Sequence, residues 1–176
     1  HAGTSGGEHV VASGNTDEPL TPSNVTVRDP SAYGSEFFQA VKVENALIFL
    51  QRQGRRIREL REYNVLTGGN DNQAADLCLL AEHLTSAGIT QFAYARLPDP
   101  TLYAILGNGQ MAVMTYDRDQ NVNGWARFLT DGAFESVAAV PGSPSDAVYV
   151  VVRRTINGHA VRYVEAFTAE TTAGFN

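Results

Sequence analysis

The chain has 176 residues, of which 43% are hydrophobic and 18% charged, and its formal net charge is -6 at pH 7. That length suits one domain or one and a half, and the acidic balance gives no general reason to expect nucleic-acid or membrane binding. The lone cysteine, Cys78, excludes an internal disulfide framework and any multi-cysteine metal site within one chain, and no apolar run approaches the ~20 residues of a membrane-spanning helix.

Residues 1–36 read as an extended N-terminal segment. Short strands are expected at Glu8–Ala12 and Asn24–Arg28, with Pro19, Pro22 and Pro30 among Gly, Ser, Asn and Asp. Large apolar residues are too few there for an independent core. The start has no basic region followed by an apolar one, so no signal peptide is expected.

A patterned domain is expected over 37–168, followed by a disordered tail over 169–176. Ala46–Leu50 is apolar throughout, Gln53-Gly54 signals a turn, and Ile57–Tyr63 returns, which predicts a hairpin. It carries Arg52, Arg55, Arg56, Arg58 and Arg61. These arginines are a possible interaction surface. A nucleic-acid patch would need interleaved aromatic platforms, which are missing. The favoured reading is a solvated hairpin tip whose arginines pair with Glu59 and Glu62.

The spacing of Leu77, Leu80, Ala81 and Leu84 predicts one α-helix near residues 73–86, capped by Asp71 or Asn72 and stopped at Gly88. Cys78 is expected to pack and His83 to be structural or solvent-facing, since HExxH is not present.

Strands then follow without interruption over 89–96, 102–106, 111–116, 124–129 and 134–140, joined by short turns. The last pair is the clearest hairpin. Ala147–Val152 is a continuous apolar run, expected to be buried on both faces. Asn157-Gly158 suits the two positive-φ positions of a type I′ turn. Counting outward from that turn sets Val152 opposite Tyr163 and Arg153 opposite Arg162. Two opposed arginines repel, so either a bulge shifts the register or a carboxylate sits between them, with Glu135 the candidate. Trp125, Tyr149 and Tyr163 are expected in the structural core.

Strand groups begin near Val41, Ile89 and Phe134, at spacings of 48 and 45 residues. The predicted fold is mainly β, with antiparallel four-stranded meanders resembling β-propeller blades. A meander sandwich is the competing architecture. Two or three blades fit this length, so the chain would be an arc, or would complete a ring by oligomerisation or with further sequence.

No catalytic constellation emerges, with neither GxSxG nor a phosphate-cradling glycine loop. No cofactor or metal is expected. The alternation Asp117, Asp119, Asn121, Asn123 resembles the start of a calcium loop, but the glycine and terminal glutamate are missing.

The order of LAEHLT, ITQFAYARLPDPTLYAILGNGQMAVMTYDRDQNVNGWARFLTDGAFESVAAVPG and VYVVVRRTINGHAVRYVEAF, with LIFLQRQGRRIRELREY upstream, resembles virion structural proteins of tailed bacteriophages. The resemblance covers residues 4–168. It implies a non-enzymatic component of the tail or head–tail connector, located in the virion and forming the C-terminal portion of a longer protein. Its partners would be other virion subunits or copies of itself, without membrane or nucleic acid. The alternative is a host-surface carbohydrate-binding or hydrolytic tail module, which would use Trp125 and Tyr116 beside Asp117.

Overall fold

A computed structural model describes residues 1–14, 18–44, 46–61, 74–117, 120 and 122–167. The chain divides into two compact units, His1–Glu82 and His83–Asn176. Every sheet in it is an antiparallel meander of three or four strands, with neighbours in chain order.

The first unit begins with a three-stranded sheet of β1 (Ala2–Thr4), β2 (Gly7–Ser13) and β3 (Val25–Ser31). The short strands expected at Glu8–Ala12 and Asn24–Arg28 fall in β2 and β3, which pair with each other. A four-stranded sheet follows, of β4 (Val41–Val43), β5 (Ala46–Leu50), β6 (Ile57–Arg61) and β7 (Ala75–Asp76). Residues 34–36 tie the two sheets together. Ser35 N–H donates to the Thr4 carbonyl at 2.7 Å, Arg52 N–H to Gly34 at 2.9 Å, and Glu36 N–H to Leu50 at 2.9 Å. Gly34 sits at φ 73°, and a Cβ there would lie 2.4 Å from the Ser5 carbonyl oxygen. Only glycine fits this crossing.

The expected helix over 73–86 is reduced to the single turn α1 (Glu82–Thr85). Ala75 and Asp76 are drawn into β7 by the open edge of β6, pairing with Glu59 and Arg58. Leu77 N–H continues the ladder to the Ile57 carbonyl at 3.0 Å. The Asp76 carboxylate then accepts from Cys78 N–H at 2.9 Å, a local turn that competes with helix. Of the proposed stripe, Leu77 and Ala81 are buried, whereas Leu80 is almost fully exposed. The proposed caps Asp71 and Asn72 lie outside the described residues. Cys78 is buried, as expected of a packing residue, and its Sγ accepts from Ile57 N–H at 3.3 Å.

The second unit holds a four-stranded sheet of β8 (Ile89–Ala95), β9 (Thr101–Leu106), β10 (Met111–Asp117) and β11 (Val122–Phe128), and a three-stranded sheet of β12 (Ala133–Val140), β13 (Ala147–Ile156) and β14 (His159–Phe167). The groups expected to start near Val41, Ile89 and Phe134 are the sheets that begin at β4, β8 and β12. Ala95, Ile105, Met111 and Val113 of one sheet pack with Phe134, Val137, Val148, Val150 and Val152 of the other. Gln91 stitches the two at a bulge. Its Nε2 donates to the Val137 carbonyl at 3.1 Å, and its Oε1 accepts from Val137 N–H at 3.2 Å and Ser136 Oγ at 2.8 Å. One side chain thus satisfies both backbone groups of Val137.

The expectation that Ala147–Val152 is buried on both faces is corrected. Burial alternates, with Val148, Val150 and Val152 inside and Tyr149 42% exposed. The run is apolar throughout, yet a single facing sheet covers only one side.

Candidate interaction surfaces

The five arginines of the β5–β6 hairpin do not form one patch. Arg58 is only 7% exposed. Its guanidinium stacks 3.5 Å from the centre of the Tyr33 ring, and it donates to Gln51 Oε1 and the Ala74 carbonyl, each at 2.6 Å. Arg56 pairs with Asp76 at 2.6 Å and with Glu82, and those negative charges, Asp76 first, raise its pKa further. Arg61 pairs with buried Glu59 at 3.1 Å, one of the two carboxylates expected in that role; the other, Glu62, lies outside the described residues. Arg52 reaches the Ser5 carbonyl at 3.4 Å, and Arg55 is exposed. The hairpin is a structural clamp more than a basic surface, because Arg58 has traded water for fixed acceptors and Arg56 is engaged by two carboxylates.

The second surface is the sheet β12–β13–β14. Asn157 (φ 51°) and Gly158 (φ 79°) make the tight turn, and the register sets Val152 opposite Tyr163 and Arg153 opposite Arg162. Of the two expected remedies for the arginine conflict the carboxylate is the one present, because the β13–β14 register is unshifted and the arginines stay opposed. The β12–β13 register shifts between Phe134 and Ser136, which leaves Glu135 as the extra residue of a bulge. Glu135 accepts from Arg162 Nε at 2.6 Å and lies 3.1 Å from Arg153 Nε. The Arg162 hydrogen bond, with the charge of both arginines, holds the Glu135 carboxyl below its ordinary pKa. Sequence reasoning missed a second ion pair: Arg154 donates to both oxygens of Glu165 at 2.9 Å and to the Asp131 carbonyl at 2.6 Å. Its signal was the alternation that puts Arg154, Val161, Tyr163 and Glu165 on one face of the hairpin.

Tyr149 and Tyr163 are not core residues. Tyr149 projects from the uncovered face of β13, and Tyr163, 43% exposed, lies on the edge strand β14. Trp125 is only half-buried, because β11 is likewise an edge strand, where Trp125 pairs with Met114. The set expected for a glycan, Trp125 and Tyr116 beside Asp117, does not form an open platform, since Tyr116 is buried. Of the calcium-like loop, Asp119 and Asn121 lie outside the described residues, and Asp117 Oδ1 accepts from Gln120 N–H at 3.0 Å. Among the described residues no group of three His, Cys, Asp or Glu is placed to hold a metal ion, and no helix is long and apolar enough to cross a membrane.

No protein-family model matches the chain, and no curated protein matches it.

Proposed function

We propose that the chain is a non-enzymatic structural component of a tailed-phage particle, an assembly module of the tail or head–tail connector. The phage setting rests on the sequence resemblance over residues 4–168. The assembly role is supported by one feature above others, the open edge of β14. This strand offers nine residues and, among the described residues, has β13 alone as its neighbour. Proteins guard such edges with charge or proline. The charges of β14 are already committed: Arg162 to Glu135 and Glu165 to Arg154. Val164, 75% exposed, stands beside them. A strand from another virion subunit or a second copy adds to such an edge through backbone hydrogen bonds. On this reading the successive meanders are blades of a propeller-like arc that further chain or further copies complete.

Two measurements test it. Antibody labelling of purified particles in electron micrographs is expected to mark the tail or connector, and labelling confined to the host cell would sink the phage setting. Sedimentation of the purified chain is expected to show concentration-dependent association that Val164→Lys reduces about tenfold or more while the melting temperature holds. Association indifferent to Val164→Lys would remove β14 from the assembly role.

A further inference from the structure

The first unit contains a cavity of about 680 Å³ that the assembly reading does not use. Its walls are apolar and aromatic: Phe37, Phe38, Leu47, Phe49 and Leu60 line it. Phe49 and Leu60 are buried, whereas Phe37 is fully exposed and Phe38 partly so. The volume falls within the range of small-molecule sites, which combine apolar walls with a few placed polar groups.

The buried charged group in this cavity is Glu8, on β2, only 3% exposed; His1, Ser35, Glu36 and Gln39 line the cavity as well. Its Oε2 accepts from Ser31 Oγ and its Oε1 from Ser35 Oγ at 2.9 Å. Each oxygen thereby receives one neutral donor, although an ionised carboxylate has about four acceptor sites. Among the described residues no arginine, lysine or histidine pairs with it. The nearest basic side chain in sequence, His9, is turned to Asp29 at 2.5 Å. Buried carboxylates are ordinarily paired with a cation, as buried Glu59 is with Arg61 elsewhere in this unit. Ser31 and Ser35 hold Glu8 in place from β3 and from the junction of the two sheets, so the carboxylate is positioned before any ligand arrives. A carboxylate with spare acceptor sites beside exposed and buried phenyl rings suits a cation with an apolar body. The charge meets Glu8, and the rings receive the body and the edge of the charge.

We infer that this cavity binds a small amphiphilic cation, a protonated amine or guanidinium carried on an apolar body. The site lies wholly within the first unit, so the inference stands or falls separately from the assembly role of β14.

The test uses the full chain and three probes of one shape: 2-phenylethylammonium, neutral 2-phenylethanol and anionic phenylacetate. Isothermal titration calorimetry is expected to rank them in that order, with the cation at least about tenfold tighter than the alcohol. Glu8→Gln keeps the shape, with one serine still donating to the amide oxygen and the other hydroxyl turned to accept from the amide N–H. It is expected to bring the cation down to the affinity of the alcohol and to leave the alcohol unchanged. Phe37→Ala, at a fully exposed position that folding does not depend on, is expected to weaken the cation severalfold, about the size of one cation–π contact. Equal affinity for cation and alcohol, or a cation affinity unmoved by both variants, overturns the inference. So does the absence of cation binding at millimolar concentration. A blocked Phe-Lys dipeptide is titrated in parallel, and binding of the peptide alone would overturn the small-molecule assignment in favour of a protein side chain.

Discussion

Each unit carries an arginine-rich hairpin, and the two use their charge in different ways. On β6, Arg58 lies against Tyr33 and donates to Gln51 and Ala74. On β13 and β14, Arg153 and Arg162 stay in solvent around one carboxylate, Glu135. On β6 Arg58 lies on a covered face under Tyr33, so it replaces its water with fixed acceptors. Strand β14 is an edge, so its arginine keeps its water and the pair contributes little. Both segments read alike in the sequence, as arginines flanking a turn. Whether the face that carries the arginine is covered, not the run of charges, separates clamp from surface.

The strongest test of that contrast is Arg58→Met. It keeps bulk but leaves Gln51 Oε1 and the Ala74 carbonyl without their donor in a covered site, at an expected cost of about 2–4 kcal/mol. Urea unfolding followed by far-ultraviolet circular dichroism measures it. Arg58→Lys retains the charge but loses the planar stack and the fork, so it should fall between wild type and Met. A cost below about 0.5 kcal/mol for Met, the level typical of a surface change, would erase the distinction between the two hairpins.

Next in size is the turn of the outer hairpin. Gly158 sits at φ 79° with open space around its missing Cβ. Gly158→Ala therefore meets no neighbour, and backbone strain alone should cost about 1–2 kcal/mol. The same unfolding experiment reads it. A neutral Gly158→Ala would mean that the register opposing the arginines is held by sheet packing and not by the turn.

Much of this second hairpin was legible in the sequence because its determinants are local. Asn157-Gly158 fixes the turn, the turn fixes the register, and the register exposes the arginine conflict that Glu135 resolves. The order and spacing of the meanders were legible for the same reason, through turn signals between apolar runs. The helix over 73–86 was not. Leu77 and Ala81 satisfy a helical stripe and also a strand followed by tight turns, and the choice is made by the open edge of β6, which lies about 18 residues away in sequence. Burial of Tyr149 and Tyr163 was misjudged because an apolar run does not reveal how many of its faces will be covered. The cavity around Glu8 was invisible for a third reason. Glu8, Ser31 and Ser35 fall in a stretch whose large apolar residues are too few to signal a core, and Phe37 opens the next segment. The Phe37-Phe38 doublet was the one available hint.

The finest test concerns Glu135. Its carboxyl is held below its ordinary value near 4.5, first by the Arg162 hydrogen bond and then by the two positive charges. A carboxyl whose folded pKa is depressed adds stability above its unfolded pKa and loses it as pH falls through the folded value. Glu135→Gln should therefore melt slightly lower than wild type at pH 7, and the gap should close as pH drops below 4.5. Asp146 is also held low, first by the Arg96 backbone N–H, but it is common to both proteins and cancels in the difference. Because the group is exposed, about 0.5 M salt should shrink the gap as well. Glu135→Gln leaves Arg153 and Arg162 opposed without a carboxylate between them. Adding Arg162→Gln should then recover part of the loss, whereas in the presence of Glu135 the same substitution should cost stability. That reversal of sign would identify the bulged glutamate as the resolution of the arginine conflict. Losses that simply add would reduce the three residues to independent surface charges.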